Sequence, residues 1–328
     1  MSLRFRLLTE KDVRRVLSME DLIEAMASAL ARFSSGEVVQ PVRSVLQVGR
    51  DKAYFGVMPA FVGAPAALGA KLVTLFNRNT ERGLPTHLAS ILLLDHTTGA
   101  LVALMDGRFI TEARTAAVSA VSTRVMAREN ASILAVIGSG VQARSHIEAL
   151  PLVRRFREVR VWSPNRDHRE RVVREMSGSA RASLVAASDA EQAVKNADVI
   201  ALVTSSRTPV IREGWIKNDA HVISVGACLP DQREIDPALT ARGRLVVDSR
   251  AGALAESGDV VMGIAEGRFT ASHISGELGE VVAGRVPGRL NDEMTIFKSL
   301  GMAVEDVVAA DLAYRQARER DIGTLLEL

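Results

Sequence analysis

The stretch Ala135-Val136-Ile137-Gly138-Ser139-Gly140-Val141-Gln142-Ala143 constrains this chain more than any other. An apolar run that reads as a buried strand meets a GxGxxA turn, and a helix begins directly after it. Gly138 permits the tight turn, Gly140 lets the backbone approach a pyrophosphate, and Ala143 allows the helix to pack close to the strand. The helix from Val141 and Gln142 onward offers free N–H groups to an anion. A lone GxGxxA also arises as an ordinary strand-to-helix turn. Here the context adds weight, because strands and helices alternate regularly from this point. Strands are expected at Ile133–Ile137, Val159–Trp162, Ser183–Ala186, Val199–Val203, Val222–Val225 and Leu245–Val247, with helices between most of them. That rhythm predicts an α/β fold with a doubly wound parallel sheet of the Rossmann type, helices on both faces, and a dinucleotide as ligand.

The end of the second strand bears on which dinucleotide. NAD sites place an acid there for the ribose 2′-hydroxyl. This chain has Val161-Trp162 followed by Ser163-Pro164-Asn165-Arg166, with Asp167 only later. Arg166 suits a 2′-phosphate, since a guanidinium matches phosphate in a bidentate way, and NADP(H) is favoured over NAD(H). The competing reading makes Arg166 a solvated residue at a helix start. The other strand ends, Thr204-Ser205-Ser206, Gly226-Ala227-Cys228 and Asp248-Ser249-Arg250, are small or polar, as a backbone-lined nicotinamide trough requires.

The segment before this sheet reads as α+β. Thr9 with Asp12 and Ser18 with Asp21 form helix-start patterns. Leu22, Met26, Leu30 and Phe33 follow at helical spacing until Ser34-Ser35-Gly36. Strand-like stretches come next at Val42–Val48, Ala53–Val57 and Gly69–Phe76. His87–Leu94 and Leu101–Met105 read as a pair joined by the turn formers Asp95–Gly99. Glu112–Arg128 is an Ala-rich helix with Thr111 as its expected N-cap. Leu300–Arg320 is a further helix, expected to return to the first domain. The expected organisation is 1–114 as a substrate-binding and dimerisation domain, 115–300 as the inserted nucleotide domain, and 301–328 as the returning helix.

Composition narrows the partners. Among 328 residues, 41 are basic and 39 acidic, and only 4% are aromatic. Nucleic-acid binding, which calls for a clustered basic excess and stacking aromatics, is not expected. A single cysteine, Cys228, and six scattered histidines form no metal-binding pattern, so no metal is expected. No stretch approaches the roughly 18 apolar residues of a membrane helix. The opening residues lack a signal-peptide core. A soluble chain of the reducing cytoplasm fits this profile.

Three cations lie in apolar or strand-like settings: Arg43 after Pro41-Val42, Lys71 within Leu68–Val73, and Arg114 near the start of the Ala-rich helix. Burying a lone cation is costly, so each must be paired or functional. Together they could hold a small carboxylate, each charge-assisted bond contributing about 1.5–3 kcal/mol. The alternative is that each pairs with an acid of its own domain or reaches solvent.

The chain resembles the ornithine cyclodeaminase/mu-crystallin family over essentially its whole length. The resemblance rests on Gln40-Pro41-Val42-Arg43, Gly69-Ala70-Lys71, Gly83-Leu84-Pro85-Thr86, Glu112-Ala113-Arg114-Thr115-Ala116-Ala117 and Gly138–Ala143. It continues through Val225-Gly226-Ala227, Glu277-Leu278-Gly279-Glu280-Val281 and Phe297-Lys298-Ser299-Leu300-Gly301. It implies that Arg43, Lys71 and Arg114 hold a substrate carboxylate, and that Thr115 and the Gly138–Ala143 loop bind cofactor phosphates. It implies too that Thr204, Ala227 and Ser299 lie on the nicotinamide side, and that the protein is a homodimer. Cyclodeaminases of the family carry an aspartate where this chain has Cys228. A neutral thiol is a poor substitute for that base. The mu-crystallin branch, which includes NADPH-dependent ketimine reductases, also lacks the aspartate and is similar through Gly-Ala-x-x-Pro-Asp-x-Arg-Glu, ending here in Arg233-Glu234. Its Asn-Arg pair resembles Asn165-Arg166.

The expected activity is therefore reduction of a cyclic ketimine carboxylate by hydride transfer. Lys71 is a candidate proton relay near the nitrogen, and Cys228 is a pocket-wall position rather than a nucleophile. The alternatives are an ornithine or lysine cyclodeaminase using bound NAD, a reductive aminase like the alanine dehydrogenases, and a cofactor-dependent small-ligand binding protein. The fold alone does not choose between them.

Overall fold

The computed structural model describes residues 3–49, 53–178 and 182–328. Helix starts near the N-terminus form where side chains cap them. After β1 (Arg4–Leu8), Thr9 and Asp12 satisfy each other's backbone N–H groups and open α1 (Glu10–Val16). Ser18 Oγ accepts from Asp21 N at 3.1 Å and opens α2 (Met19–Ser34), whose Leu22, Met26 and Leu30 are buried. The strands β2 (Val38–Val39), β3 (Ser44–Val48), β4 (Ala53–Val62), β5 (Ala67–Leu75), β6 (His87–Leu94) and β7 (Leu101–Asp106) follow. The β6–β7 turn is held by Asp95 Oδ1, which accepts from the N–H groups of Thr97 at 2.9 Å and Thr98 at 2.8 Å.

Three sequence expectations shift here. β4 does not stop at Val57; it continues through Pro59 to Val62. On one edge β4 pairs with β3 up to Val57 and with β2 from Phe61, so Pro59 falls where that edge has no partner. A missing N–H costs nothing there. Arg43 lies just before β3 rather than inside a strand. α3 (Arg108–Met126) starts ahead of the expected Thr111 cap, because Asp106 Oδ1 accepts from Arg108 N at 3.1 Å and Phe109 N at 3.2 Å. Thr111 sits in the first turn, its hydroxyl donating to the Gly107 carbonyl at 2.7 Å.

The next elements are β8 (Ile133–Ile137), α4 (Val141–Ala149), β9 (Glu158–Trp162), α5 (Arg166–Met176), β10 (Ser183–Ala186), α6 (Ala190–Val194), β11 (Val199–Leu202), β12 (His221–Ser224), α7 (Pro237–Arg242), β13 (Arg244–Val247), α8 (Arg250–Glu256), α9 (Gly258–Ala265), β14 (Ile274–Glu277), α10 (Leu278–Val282) and β15 (Thr295–Lys298). The strands form one sheet, ordered β10-β9-β8-β11-β12-β15-β13-β14, and every pair is parallel. β8, β11 and β12 are buried throughout, as parallel strands covered on both faces must be. The chain runs from β8 outward to β10, then returns to β11 on the other side of β8. The strand order therefore switches at β8/β11, where such sheets open a ligand crevice beyond their carboxyl ends. β14 and β15 were not expected from sequence, yet β15 lies between β12 and β13.

α11 (Ala303–Glu319) and β16 (Thr324–Glu327) complete the chain. α11 packs on α2, β4 and β5, and β16 pairs antiparallel with β1. The first sheet is ordered β16-β1-β7-β6-β5-β4-β2, with β3 on β4; it is antiparallel except for β1 against β7. By internal contacts the chain forms two units, Met1–Arg114 with Met302–Leu328, and Thr115–Gly301. No helix among the described residues is long and apolar enough to cross a membrane.

Candidate active site

In the second unit the glycine loop has the conformation its sequence demands. Gly138 has φ +135°, and a Cβ there would lie 2.5 Å from the carbonyl oxygen of Val203, which follows β11, so only glycine fits this turn between β8 and α4. Nothing lies within 4 Å of a Cβ built on Gly140, leaving open space above the loop. Among the described residues no side chain caps α4, so the loop and first turn keep N–H groups for an anion. Arg144, which sequence reasoning missed, donates to the carbonyls of Ser139 at 3.1 Å and Gly140 at 3.2 Å. It ties down the loop's acceptors. Val141 is exposed, Ala143 is buried, and the Gln142 Oε1 atom is buried with no hydrogen-bond partner among the described residues.

Beside this loop, beyond β9, Ser163 is buried with its hydroxyl donating to the Asn165 carbonyl at 3.1 Å. Asn165 caps α5, accepting from His168 N at 3.0 Å. Arg166 projects to solvent, its Nε 2.7 Å from Glu170 Oε1. This is the surface arrangement anticipated as the competing reading of Arg166. Arg169, not anticipated, donates to the Ser163 carbonyl at 2.8 Å and fixes the strand end. Thr204, Ala227 and Ser299 follow β11, β12 and β15, which are neighbours in the sheet. Ala227 is buried, and Ser299 Oγ is buried without a hydrogen-bond partner among the described residues. Cys228 is half-buried, its thiol 3.2 Å from the Val225 carbonyl. Thr115, at the start of this unit, is buried and its carbonyl accepts from Ser119 Oγ at 3.1 Å. An uncapped helix, an open glycine loop and two orphaned buried polar atoms fit a dinucleotide.

In the first unit Lys71 and Arg114 come together through two acids that sequence reasoning did not single out. Lys71, on β5, is 2% exposed, and its Nζ is 2.5 Å from Asp306 Oδ2. Arg114, on α3, is 5% exposed and donates from Nε to Asp306 Oδ1 at 3.0 Å and from NH1 to Glu305 Oε2 at 2.7 Å. Glu305 and Asp306 are wholly buried in the first turn of α11. Gln40 secures that turn, its Oε1 accepting from Val304 N at 2.8 Å. The Gln40–Arg43 motif thus begins with a helix cap. Arg43, half-buried, lies near enough to Lys71 to depress its ammonium pKa.

Burial is the main force lowering Lys71 to about 8. Asp306 opposes it, and Arg114 and Arg43 add to it. Asp306 itself is held below the usual carboxylate range by Arg114 and Lys71, against the effect of burial. His87, on β6, is lowered to about 4, first by burial and then by Lys71 and Arg114, so it is neutral at pH 7. Two buried cations, Lys71 and Arg114, therefore face two buried acids, Glu305 and Asp306, with the half-buried Arg43 close to Lys71.

The ornithine cyclodeaminase/mu-crystallin family model matches residues 5–321. A ketimine reductase mu-crystallin from Mus musculus is 43% identical over 296 residues, covering 89% of this chain and 91% of that protein. A Delta(1)-pyrroline-2-carboxylate reductase from Bacillus cereus is 33% identical, covering 98% and 99%. Among solved structures, Thermococcus litoralis Delta(1)-pyrroline-2-carboxylate reductase in complex with NADH and L-proline superposes with a TM-score of 0.95 at 39% identity, covering 98% of this chain and 99% of that one. The chain belongs to the ornithine cyclodeaminase/mu-crystallin family.

Proposed function

We propose that this protein is an oxidoreductase that reduces a cyclic ketimine carboxylate, of the Δ1-pyrroline-2-carboxylate or Δ1-piperideine-2-carboxylate type, to the cyclic amino acid. The observation that carries this reading is the buried Lys71–Arg114–Glu305–Asp306 cluster, which fixes two cations in place beside Arg43. Its relatives named ketimine and pyrroline-carboxylate reductases act on substrates of this chemistry. When bound, the reduced nicotinamide supplies hydride to the imine carbon.

The chain's own residues do the rest. Arg114 is fixed by Glu305 and Asp306, so the position of its positive charge is set before substrate arrives. Lys71, with a pKa of about 8, is charged at neutral pH and close enough to its titration to pass a proton to nitrogen. Gly138, Gly140, Val141, Gln142 and Thr115 would hold the phosphates, and Thr204, Ala227 and Ser299 the nicotinamide end. Ser163, Asn165 and Arg166 would take the adenosine side. Arg166, in place of an acid after β9, supports a preference for NADP(H) over NAD(H), provided it leaves Glu170 for the 2′-phosphate. Cys228, where cyclodeaminases carry aspartate, supports reduction over deamination. The exposed apolar residues of β3 and its surroundings support a homodimer.

Initial rates with each cyclic imine, a keto acid plus amine, and ornithine, each with NADPH and NADH, test the reading. Consumption of reduced cofactor with the cyclic imines is expected, with kcat/KM about tenfold or more higher for NADPH, a difference of about 1.4 kcal/mol. Ammonia release from ornithine with no net change in cofactor would overturn it.

A further inference from the structure

Glu234 is wholly buried, yet among the described residues its carboxylate binds no guanidinium or ammonium directly. Oε1 accepts from Thr204 N and Thr204 Oγ1, both at 2.7 Å, and Oε2 accepts from Gly226 N at 2.5 Å. One side chain thus gathers the residues that follow β11 and β12. Gly226 makes this possible: a Cβ there would lie 1.8 Å from the Thr204 carbonyl oxygen and 2.6 Å from Glu234 Oε1. Glu234 is held in turn. Its N–H donates to Asp259 Oδ1 at 2.8 Å, and its carbonyl accepts from Val210 N at 3.0 Å. Asp259 Oδ2 accepts from Ser224 Oγ at 2.8 Å and lies 3.1 Å from Lys298 Nζ. Lys298 ends β15 and also donates to Ser224 Oγ at 3.2 Å. Glu234, Asp259 and Lys298 thereby join the carboxyl ends of three adjacent strands from beneath. An ionised carboxylate buried this deeply is expensive, and burial does push the Glu234 pKa upward. The phosphate loop after β8 needs none of these contacts.

We propose that Glu234 is a positioning residue for the nicotinamide end of the cofactor, fixing Thr204 and Gly226-Ala227 through its three accepted hydrogen bonds. The proposal rests on the reading that the nicotinamide lies over the residues following β11 and β12. Glutamine is nearly isosteric but would turn an amide N–H toward Gly226 N, setting donor against donor. Aspartate keeps the charge but is one methylene too short to span Thr204 and Gly226.

The test compares the full-length protein with its Glu234→Gln and Glu234→Asp variants by calorimetric titration. The ligands are NADPH and NADH, set against 2′-phospho-ADP-ribose and ADP-ribose, which lack the nicotinamide. The emission maximum of bound reduced cofactor is recorded alongside. Both variants are expected to weaken NADPH and NADH binding about tenfold, a loss of about 1.4 kcal/mol. The truncated ligands should stay within about twofold, and the emission maximum should move toward that of free cofactor. Equal weakening of truncated and complete ligands, or weakening of neither, overturns the proposal. Wild-type protein that binds the complete and truncated ligands equally refutes the underlying reading of the nicotinamide end instead. Should both variants fail to fold, Thr204→Val, which removes one accepted bond, must lower the preference for complete over truncated ligand about threefold; an unchanged preference overturns the assignment.

Discussion

Lys71 ties the chemistry of this protein to pH through one buried neighbour. Its ammonium, lowered to about 8, contributes to anion binding only while charged, so carboxylate affinity should be full at neutral pH and fall as pH rises through 8. Asp306 raises that pKa, and Asp306→Asn should therefore move the loss to lower pH by about one unit or more, since one unit corresponds to about 1.4 kcal/mol of differential interaction. The inhibition constant of cyclopentanecarboxylate, which has no titrating nitrogen, reads this without interference from the imine. A profile that does not move in Asp306→Asn would remove Lys71 from the anion site. The cations of this cluster were legible in the sequence because Lys71 and Arg114 interrupt apolar stretches. Their partners were not. Glu305 and Asp306 lie about 190 residues beyond Arg114, and acids in the first turn of a helix already have a local explanation in the helix dipole. Only tertiary packing shows that they face inward. Glu234 was visible as part of a motif, but nothing local indicates that its carboxylate reaches back to Thr204.

At the scale of elements, β3 is the anomaly of the first unit. All five of its residues are exposed, with Leu46 at 62%, although Val45, Leu46 and Val48 suit a buried strand. Val39 of β2 and Phe61 of β4 add to the apolar surface, and Val39 is 69% exposed. An apolar strand left open to water invites a second chain, and the proposed homodimer would cover it. Leu46→Arg should then shift the protein from dimer toward monomer in sedimentation velocity, leaving the fold of each chain intact. Retention of the dimer at micromolar concentration would direct the interface elsewhere. Elements with strong local signals matched their expected type: capped α1 and α2, the β6–β7 hairpin, and the strands flanking the glycine loop. β1 and β16 were missed because each is short and their pairing joins residues more than 300 positions apart. β15 was missed because Thr295–Lys298 is only four residues long and its burial comes from β12 and β13 on either side.

For the whole molecule, two buried histidines and the half-buried His87 set the response to acid. His146 and His221 lie in the second unit and His87 in the first. Burial is the leading cause in each case, lowering His146 and His87 to about 4 and His221 to about 3. His146 bridges Gln142 O at 2.7 Å and Ser119 Oγ at 2.8 Å, and His221 bridges Thr295 Oγ1 at 2.9 Å and Ser122 Oγ at 3.2 Å. Unfolded, all three would titrate near 6.5. Between that value and about 4 the unfolded chain binds more protons than the folded one. Stability is therefore full above about 6.5 and declines as pH falls, by up to about 1.4 kcal/mol per pH unit for each histidine. Glu234 and Glu112, raised by burial, work in the opposite direction and offset part of this loss. Two histidines against one predict that the second unit loosens more steeply than the first. Urea unfolding at pH 7 and pH 5, with hydrogen exchange followed in each unit, should show that order. The His146→Gln/His221→Asn double variant should flatten the dependence in the second unit alone. An equally steep decline in that variant would move the acid sensitivity from the histidines to the carboxylates.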